Sequence, residues 1–572
     1  MNGKQKTLAW IFRVSGKQKW NIVFLSITQA FLGISGILFA WLLRSCIDSA
    51  VAKDQDGFLH YAVMLIAVVF LQIGTRVVNR FLDEYTRSGM ENCFKKRLLA
   101  QLLSRDYARI TAVHSGEWMN RITSDTVIVA EGMTSILPNV IGMGVKLVGA
   151  VAALLILVPK LGYLIIPGGV MLLLLSTVFR RILKRLHTQI QETDGRFRVL
   201  VSERLRSLLV VRSFAKEKQT LRDADNQMET HRKARLRRNH FSNFCNAGLS
   251  VIMNSVYILG ILYCGYGILD GSVSYGSFTA VLQLIGQVQT PFASLTGYLP
   301  KFYAMIASAE RLMEVERFEK ANIEEVLKSE QIAELYQRRL AAICLRNASF
   351  TYLPPVSEQN KIPMPVVLKN VDLQIRKGEC IAFTGRSGSG KSTILKLLMS
   401  LYPLDAGERY LELEDGKREI LDGRYTRLFA YVPQGNHLMT GTIREIVAFS
   451  DKNKMQDEQC ICRALEIACA LEFVDALPNG IDTMLGEHGA GLSEGQMQRI
   501  AIARAVCCDN PVMMLDEATS ALDEATEHQL LHNLQNMTDK TVLLVTHRPT
   551  MLEMCNRQII LKENGIEVID FL

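Results

Sequence analysis

Six stretches of the chain, at about residues 21–43, 58–82, 131–157, 162–180, 243–267 and 278–306, approach the length of apolar helix that a bilayer core requires, about twenty residues. One such run fits the interior of a soluble protein. Six in series within residues 1–310 of a 572-residue chain call for a membrane. The basic residues then give the orientation. Between the second and third spans lie Arg87, Lys95, Lys96, Arg97, Arg105, Arg109 and Arg121, and residues 180–239 hold 17 Lys and Arg. The remaining loops carry few, so both termini and both long basic loops are expected in the cytoplasm. The net charge of +8 is thereby mostly topology and asks for no nucleic-acid partner.

Lys4, Lys6, Arg13, Lys17 and Lys19 lead into a first span longer than a signal's apolar core, so no cleavable signal peptide is expected. Among the 12 cysteines, Cys460, Cys462 and Cys469 cluster without metal-ligand spacing and read as reduced or buried thiols. Helical periodicity continues past the membrane into both basic loops, which predicts cytoplasmic stalks. The stalks are expected to turn back near 114–126 and 205–218, where a membrane domain would meet a cytoplasmic motor. Arg76, Asn79, Lys146, Gln283 and Gln287 are strongly polar groups inside spans. Such groups either hydrogen-bond neighbouring helices or line a path. Lys146 and Gln287 are expected to face a cavity.

The second half reads as soluble α/β protein. In "ECIAFTGRSGSGKST" an apolar strand meets a glycine-rich turn and a helix start, matching the phosphate-loop spacing G-x-x-x-x-G-K-[ST]. Backbone N–H groups of Gly385, Arg386, Ser387, Gly388, Ser389 and Gly390 are suited to curl around phosphate, aided by the helix N-terminus. Lys391 adds a point charge, Ser392 a hydroxyl for Mg²⁺, and Thr393 completes the cradle. "PVMMLDEATSALD" is an apolar strand ending in Asp516, a candidate Mg²⁺ carboxylate, and Glu517, a candidate general base for attacking water. "VLLVTHRP" is another strand, ending at His547, a candidate γ-phosphate contact.

"LSEGQMQRIAIARAV" places a serine and a glycine at the start of an amphipathic helix, again an anion-binding terminus. This resembles the signature motif of ATP-binding cassette (ABC) transporters, and with six spans the whole chain resembles an exporter-type (type IV) half-transporter. The resemblance implies ATP and Mg²⁺ as cofactors, with Tyr352 stacking on adenine and Gln434 linking Mg²⁺ and water to the coupling region. It also implies that Ser493, Gly495 and Gln496 meet the γ-phosphate across a dimer seam, with Asp523 in the loop that crosses it. Glu487 would sense the membrane domain. One chain has one phosphate loop and one signature, so a second half-transporter is implied, identical or different.

Two features depart from the family pattern. The usual LSGGQ carries Glu494 in place of its first glycine, which suits a heterodimer with unequal sites. The proline-rich stretch 353–367 is longer than the family's connection there. The expected fold is multidomain. An all-α six-helix transmembrane domain (1–310) and a linker (311–340) precede an α/β P-loop NTPase domain with an antiparallel β subdomain (341–572). The expected function is ATP-driven export of an amphipathic lipid, peptide or drug from a bacterial inner or plasma membrane. An importer of the same fold and an ATP-gated channel or regulatory receptor are the alternatives. The lack of a peptidase domain ahead of the first span argues against a leader-processing peptide exporter.

Overall fold

The apolar runs form helices that overshoot any bilayer. The computed structural model describes all residues except 1–2, 114, 160–161, 322–325, 355–363, 436–437, 487–490, 538, 547, 549–551, 553–554, 563–564 and 572. The first helices are α1 (Gly3–Val14), α2 (Gln18–Val51), α3 (Gln55–Ser104), α4 (Tyr107–Thr111) and α5 (Ser115–Asn120). There follow α6 (Thr126–Leu157), α7 (Gly162–Arg206), α8 (Leu208–Ser213), α9 (Glu217–Leu269) and α10 (Tyr275–Glu314). At 53 residues α9 is about 80 Å long, against a hydrocarbon thickness of about 30 Å. The expected stalks are therefore present. Among the described residues, four helices are long and apolar enough to cross a membrane: Gln18–Val51, Gln55–Ser104, Ser115–Leu157 and Glu217–Leu269. The fourth and sixth expected spans, 162–180 and 278–306, fall within α7 and α10.

The chain divides into two units. One comprises Met1–Arg97 and Arg121–Met313; the other comprises Leu98–Asn120 and Glu314–Leu572. In the first, α2 and α6 pack closely where glycines face each other. A Cβ on Gly33 would meet the Gly142 carbonyl at 3.0 Å, and one on Gly142 would meet Gln29 Cβ at 2.9 Å. Small residues permit such approach where hydrophobicity cannot drive helices together. The start of α6 is tied to the end of α10 by Asp125, only 1% exposed, which accepts from Arg311 Nε at 2.8 Å and Ser308 Oγ at 2.9 Å.

The intramembrane polar groups part company. Thr28 Oγ1 donates to Asn79 Oδ1 at 3.1 Å, both residues being buried. Gln287, expected to face a cavity, is buried on α2 instead, its Nε2 donating to the Gly36 carbonyl at 2.7 Å. An amide inside an apolar bundle needs such a partner. Gln283, one turn away, is exposed. Lys146 is half-buried, and Arg76 is exposed and within its electrostatic range.

The first stalk turns earlier than the expected 114–126. The helix α3 ends at Ser104, Asp106 caps α4 by accepting from Ala108 N at 3.2 Å, and α5 begins at Ser115. The tip is held by the second unit. Arg105 Nη1 donates to the Phe318 carbonyl at 2.6 Å, Asp106 N to the Glu319 carbonyl at 3.0 Å, and Ala321 N to the Ser104 carbonyl at 3.0 Å. The Tyr107 and Tyr402 rings meet edge-on at 5.6 Å, and Ala108 joins the buried core around β1 and β3 defined below. The second tip falls where expected, at α8 within 205–218.

The remainder of the second unit contains α11 (Ser329–Arg338), β1 (Leu340–Thr351), β2 (Val366–Arg376), β3 (Cys380–Gly385), α12 (Lys391–Leu398), β4 (Ala406–Leu413) and β5 (Arg418–Ile420). Next come β6 (Phe429–Val432), β7 (Gly441–Thr442), α13 (Ile443–Val447), α14 (Glu458–Ile467), α15 (Leu471–Asp475) and β8 (Met484–Leu485). The last are α16 (Glu494–Cys508), β9 (Val512–Asp516), α17 (Glu524–Gln535), β10 (Thr541–Val545), β11 (Arg557–Lys562) and β12 (Gly565–Asp570). Strands β9 and β10 are buried at every residue, as the apolar runs VMMLD and TVLLV demand of a sheet covered on both faces. The main sheet has the order β12-β11-β3-β10-β9-β6, parallel except for the β11–β12 pair. A separate antiparallel sheet runs β2-β1-β4-β5. These are the expected α/β domain and β subdomain. The expected loop 353–367 lies mostly outside the described residues.

Candidate active site

Adjacent parallel strands β3, β10 and β9 deliver their C-terminal ends to one edge, where ligands bind in open α/β sheets. After β3 the chain turns through Gly385, Gly388 and Gly390, all at positive φ (135°, 80° and 98°), into α12. Side chains with a Cβ rarely adopt those angles, and the turn exposes its N–H groups. Lys391 is 5% exposed and folds over its own loop, Nζ donating to the carbonyls of Gly385 and Arg386 at 3.0 Å each. Burial lowers its pKa, an effect opposed by the Glu517 and Asp516 carboxylates. Ser389 Oγ is buried without a hydrogen-bond partner, an orphan that a phosphate oxygen would satisfy.

Asp516, 1% exposed at the end of β9, is held at both oxygens. Ser392 Oγ donates to Oδ1 at 2.8 Å and Tyr431 Oη to Oδ2 at 2.9 Å. Burial first, and the adjacent carboxylate second, push the Tyr431 hydroxyl far up, so it remains a donor. Glu517 takes a left-handed backbone (φ 51°), unusual away from glycine and a strain of about 1–3 kcal/mol. Its N–H donates to the Val545 carbonyl at 3.1 Å, and its Oε2 accepts from Gln434 Nε2 at 2.6 Å. Ser392 and Tyr431 thus hold Asp516, Gln434 holds Glu517, and the two acids are adjacent in sequence. His547 and Glu487 lie outside the described residues.

Tyr352 does not lie free. Its Oη is 2.9 Å from Thr393 Oγ1, and its ring meets Phe350 and Tyr402 edge-on at 4.9 and 5.4 Å. The signature residues stand at the start of α16. Ser493 caps α16, its Oγ accepting from Gln496 N at 3.3 Å while Gln496 Oε1 accepts from Ser493 N at 2.9 Å. Ser493 and Glu494 are exposed. A Cβ on Gly495 would lie 2.8 Å from the Ala521 carbonyl, so glycine lets α16 start against the 518–522 loop. Gly495→Ala is expected to displace that loop and cut ATP turnover severely while the protein stays folded. Thermal unfolding beside phosphate release checks this; full activity would contradict it.

Asp523 caps α17, accepting from Thr526 N at 3.0 Å and Thr526 Oγ1 at 2.9 Å. These hydrogen bonds hold its carboxyl below the usual range. Two contributors escape a sequence reading. Tyr431 sits three residues before Gln434 in "YVPQ", and nothing local marks its hydroxyl as facing Asp516. Arg548, beside His547, donates from Nη1 to Glu527 Oε2 (2.7 Å) and the Leu522 carbonyl (3.0 Å), and from Nη2 to the Ser520 carbonyl (2.9 Å). It braces the loop that follows Glu517.

Residues 22–292 match the family described as the ABC transporter transmembrane region, and residues 368–520 match the ABC transporter family. The ATP-dependent lipid A-core flippase of Mannheimia succiniciproducens is 28% identical over 93% of this chain and 88% of its own length. That of Haemophilus influenzae is 28% identical over 94% and 88%. ABC transporter B family member 1 of Dictyostelium discoideum is 26% identical over 99% of this chain and 60% of its own length. The fold matches a bacterial Atm1-family ABC exporter solved with ATP bound, with a TM-score of 0.79, 18% identity, and coverage of 96% of this chain and 95% of that one. The chain belongs to the ABC transporter family, with a helical transmembrane region and an ATP-hydrolysing cassette in one polypeptide.

Proposed function

We propose that the chain is one half of an ATP-driven exporter, with six spans in a bacterial inner membrane and the cassette in the cytoplasm. Two halves clamp ATP, the phosphate loop of one facing the Ser493 end of α16 of the other. The observation that carries this reading is the pair of hydrogen-bonded groups Ser392–Asp516–Tyr431 and Gln434–Glu517 at the end of β9, in a chain whose signature end of α16 stays exposed.

Lys391 and the loop N–H groups hold the β- and γ-phosphates. Glu517 accepts the proton of the attacking water, and Gln434 orients that carboxylate. The oxygens of Ser392 and Asp516, 2.8 Å apart, suit a hard dication, and Gln434 is a further candidate oxygen ligand. Ser392 and Asp516 would hold Mg²⁺ there, and the ion would supply charge neutralisation for the phosphates. The tip 98–120, built into the cassette unit, carries cassette movement to the spans. Lys146 and Arg76 are cations within spans, and several relatives bear the name lipid A-core flippase. The cargo we infer is an amphipathic lipid with an anionic headgroup. Two identical chains suffice for the clamp; Glu494 in the signature favours a heterodimer as the second reading.

The test is the chain expressed alone and reconstituted in vesicles with and without anionic phospholipid. Robust ATP hydrolysis, stimulated by the anionic lipid and blunted by Lys146→Ala, is the expected result. Hydrolysis restored only by a second polypeptide would establish the heterodimer. A lipid response untouched by Lys146→Ala would sink the cargo assignment.

A further inference from the structure

The thiols of Cys380 and Cys555 lie 3.5 Å apart at one end of the main sheet, and the nucleotide chemistry uses neither. Cys380 opens β3, the strand that feeds the phosphate loop, and is partly exposed. Cys555, 5% exposed, sits in irregular chain just ahead of β11. The backbones are clamped together, with Cys380 N donating to Asn556 Oδ1 at 2.7 Å and Asn556 N donating to the Cys380 carbonyl at 2.8 Å. A disulfide needs sulfurs about 2.05 Å apart. The remaining gap is about 1.5 Å, and Cys555 lies outside the β11–β3 ladder, which starts at Arg557 and Ile381.

We propose that Cys380 and Cys555 form an oxidative modification site, closed to a disulfide by a hydroperoxide, which ties the chain entering β11 covalently to the phosphate-loop strand β3 and slows ATP turnover. The Cys380 thiolate attacks the peroxide O–O bond, giving a sulfenic acid and releasing water or an alcohol. The Cys555 sulfur then attacks the Cys380 sulfur, forming S–S and expelling water. Two electrons pass from the two sulfurs to the peroxide, and both thiol protons leave in the products.

The order of the roles follows from their surroundings. The contact with Cys555 lowers the pKa of Cys380 against the opposing effect of burial. The same contact and burial raise that of Cys555. Cys380 is also the more exposed of the two sulfurs, so attack belongs to Cys380 and resolution to the buried Cys555. A second thiol pair serves as internal contrast. Cys460 on α14 and Cys507 on α16 are 4.0 Å apart, but both sit in regular helices, and burial pushes Cys507 up to about 12. That pair should stay reduced. On the cytoplasmic side, where the cassette is proposed to lie, a disulfide is normally transient and sensory rather than structural. The bond would fix the first residue of β3, the strand that ends at Gly385, and so reaches the phosphate loop through that strand.

The experiment treats the purified full-length protein with hydrogen peroxide, alkylates free thiols, and maps peptides under non-reducing conditions alongside ATP hydrolysis. A Cys380–Cys555 cross-linked peptide is expected, with Cys460 and Cys507 alkylated, and turnover should fall several-fold and recover with dithiothreitol. Cys380→Ser should abolish both the peptide and the response; should that variant misfold, Cys555→Ala gives the same reading. Absence of the peptide overturns the proposal. So does a peroxide response that survives either substitution.

Discussion

Glu517→Gln should keep ATP binding and lose about 10²–10⁴-fold in hydrolysis, the span that a positioned general base contributes. Glutamine matches the shape of the carboxylate, and its amide oxygen can still accept from Gln434 Nε2, so the strained turn at φ 51° is preserved. What disappears is the basic oxygen proposed to take the proton from water. Binding of a fluorescent ATP analogue and release of phosphate separate the two effects. Unchanged turnover would move the base elsewhere; lost binding would mean that the substitution had disturbed the cradle and not the chemistry.

The second large effect is on stability. Arg548→Ala removes the partner of Glu527, whose side chain is 2% exposed, together with the donors to the Ser520 and Leu522 carbonyls. Leaving a carboxylate buried and unpaired costs about 3–5 kcal/mol; because the arginine is 35% exposed, water relieves part of it and about 3 kcal/mol is expected. Thermal unfolding should drop by several degrees, and ATP turnover should fall with it because the loop after Glu517 loses its brace. Adding Glu527→Gln should restore part of the stability, since a neutral amide is cheaper to bury. No recovery in the double substitution would show that the loss came from the two carbonyl contacts. Removing the exposed pair Lys562–Glu567 should change little by comparison.

Legibility in the sequence followed the range of the forces involved. The strand–turn–helix around Gly385–Ser392, the acidic end of β9 and the capped start of α16 are local: each is set by residues within one or two turns. The apolar lengths of the spans are local too. Gln287 misled for a related reason. Its spacing from Gln283 put both on one face of α10, but whether a face meets a cavity or a neighbour depends on α2, 251 residues away. The early turn of the first stalk was hidden because 98–120 is anchored by residues 318–321 and Tyr402, far along the chain.

By itself, then, the sequence determined the membrane-spanning class and the glycine-rich strand–turn–helix, and it put forward Lys391, Ser392, Asp516 and Glu517 as candidates, because apolar length and loop spacing act over a few residues. Only tertiary structure decided that Tyr431 secures Asp516, that Arg548 braces the loop after Glu517, that a stalk tip belongs to the cassette unit, and that Cys380 meets Cys555. Those pairings join residues brought together by sheet order and helix packing, and no local pattern encodes a distance across a sheet.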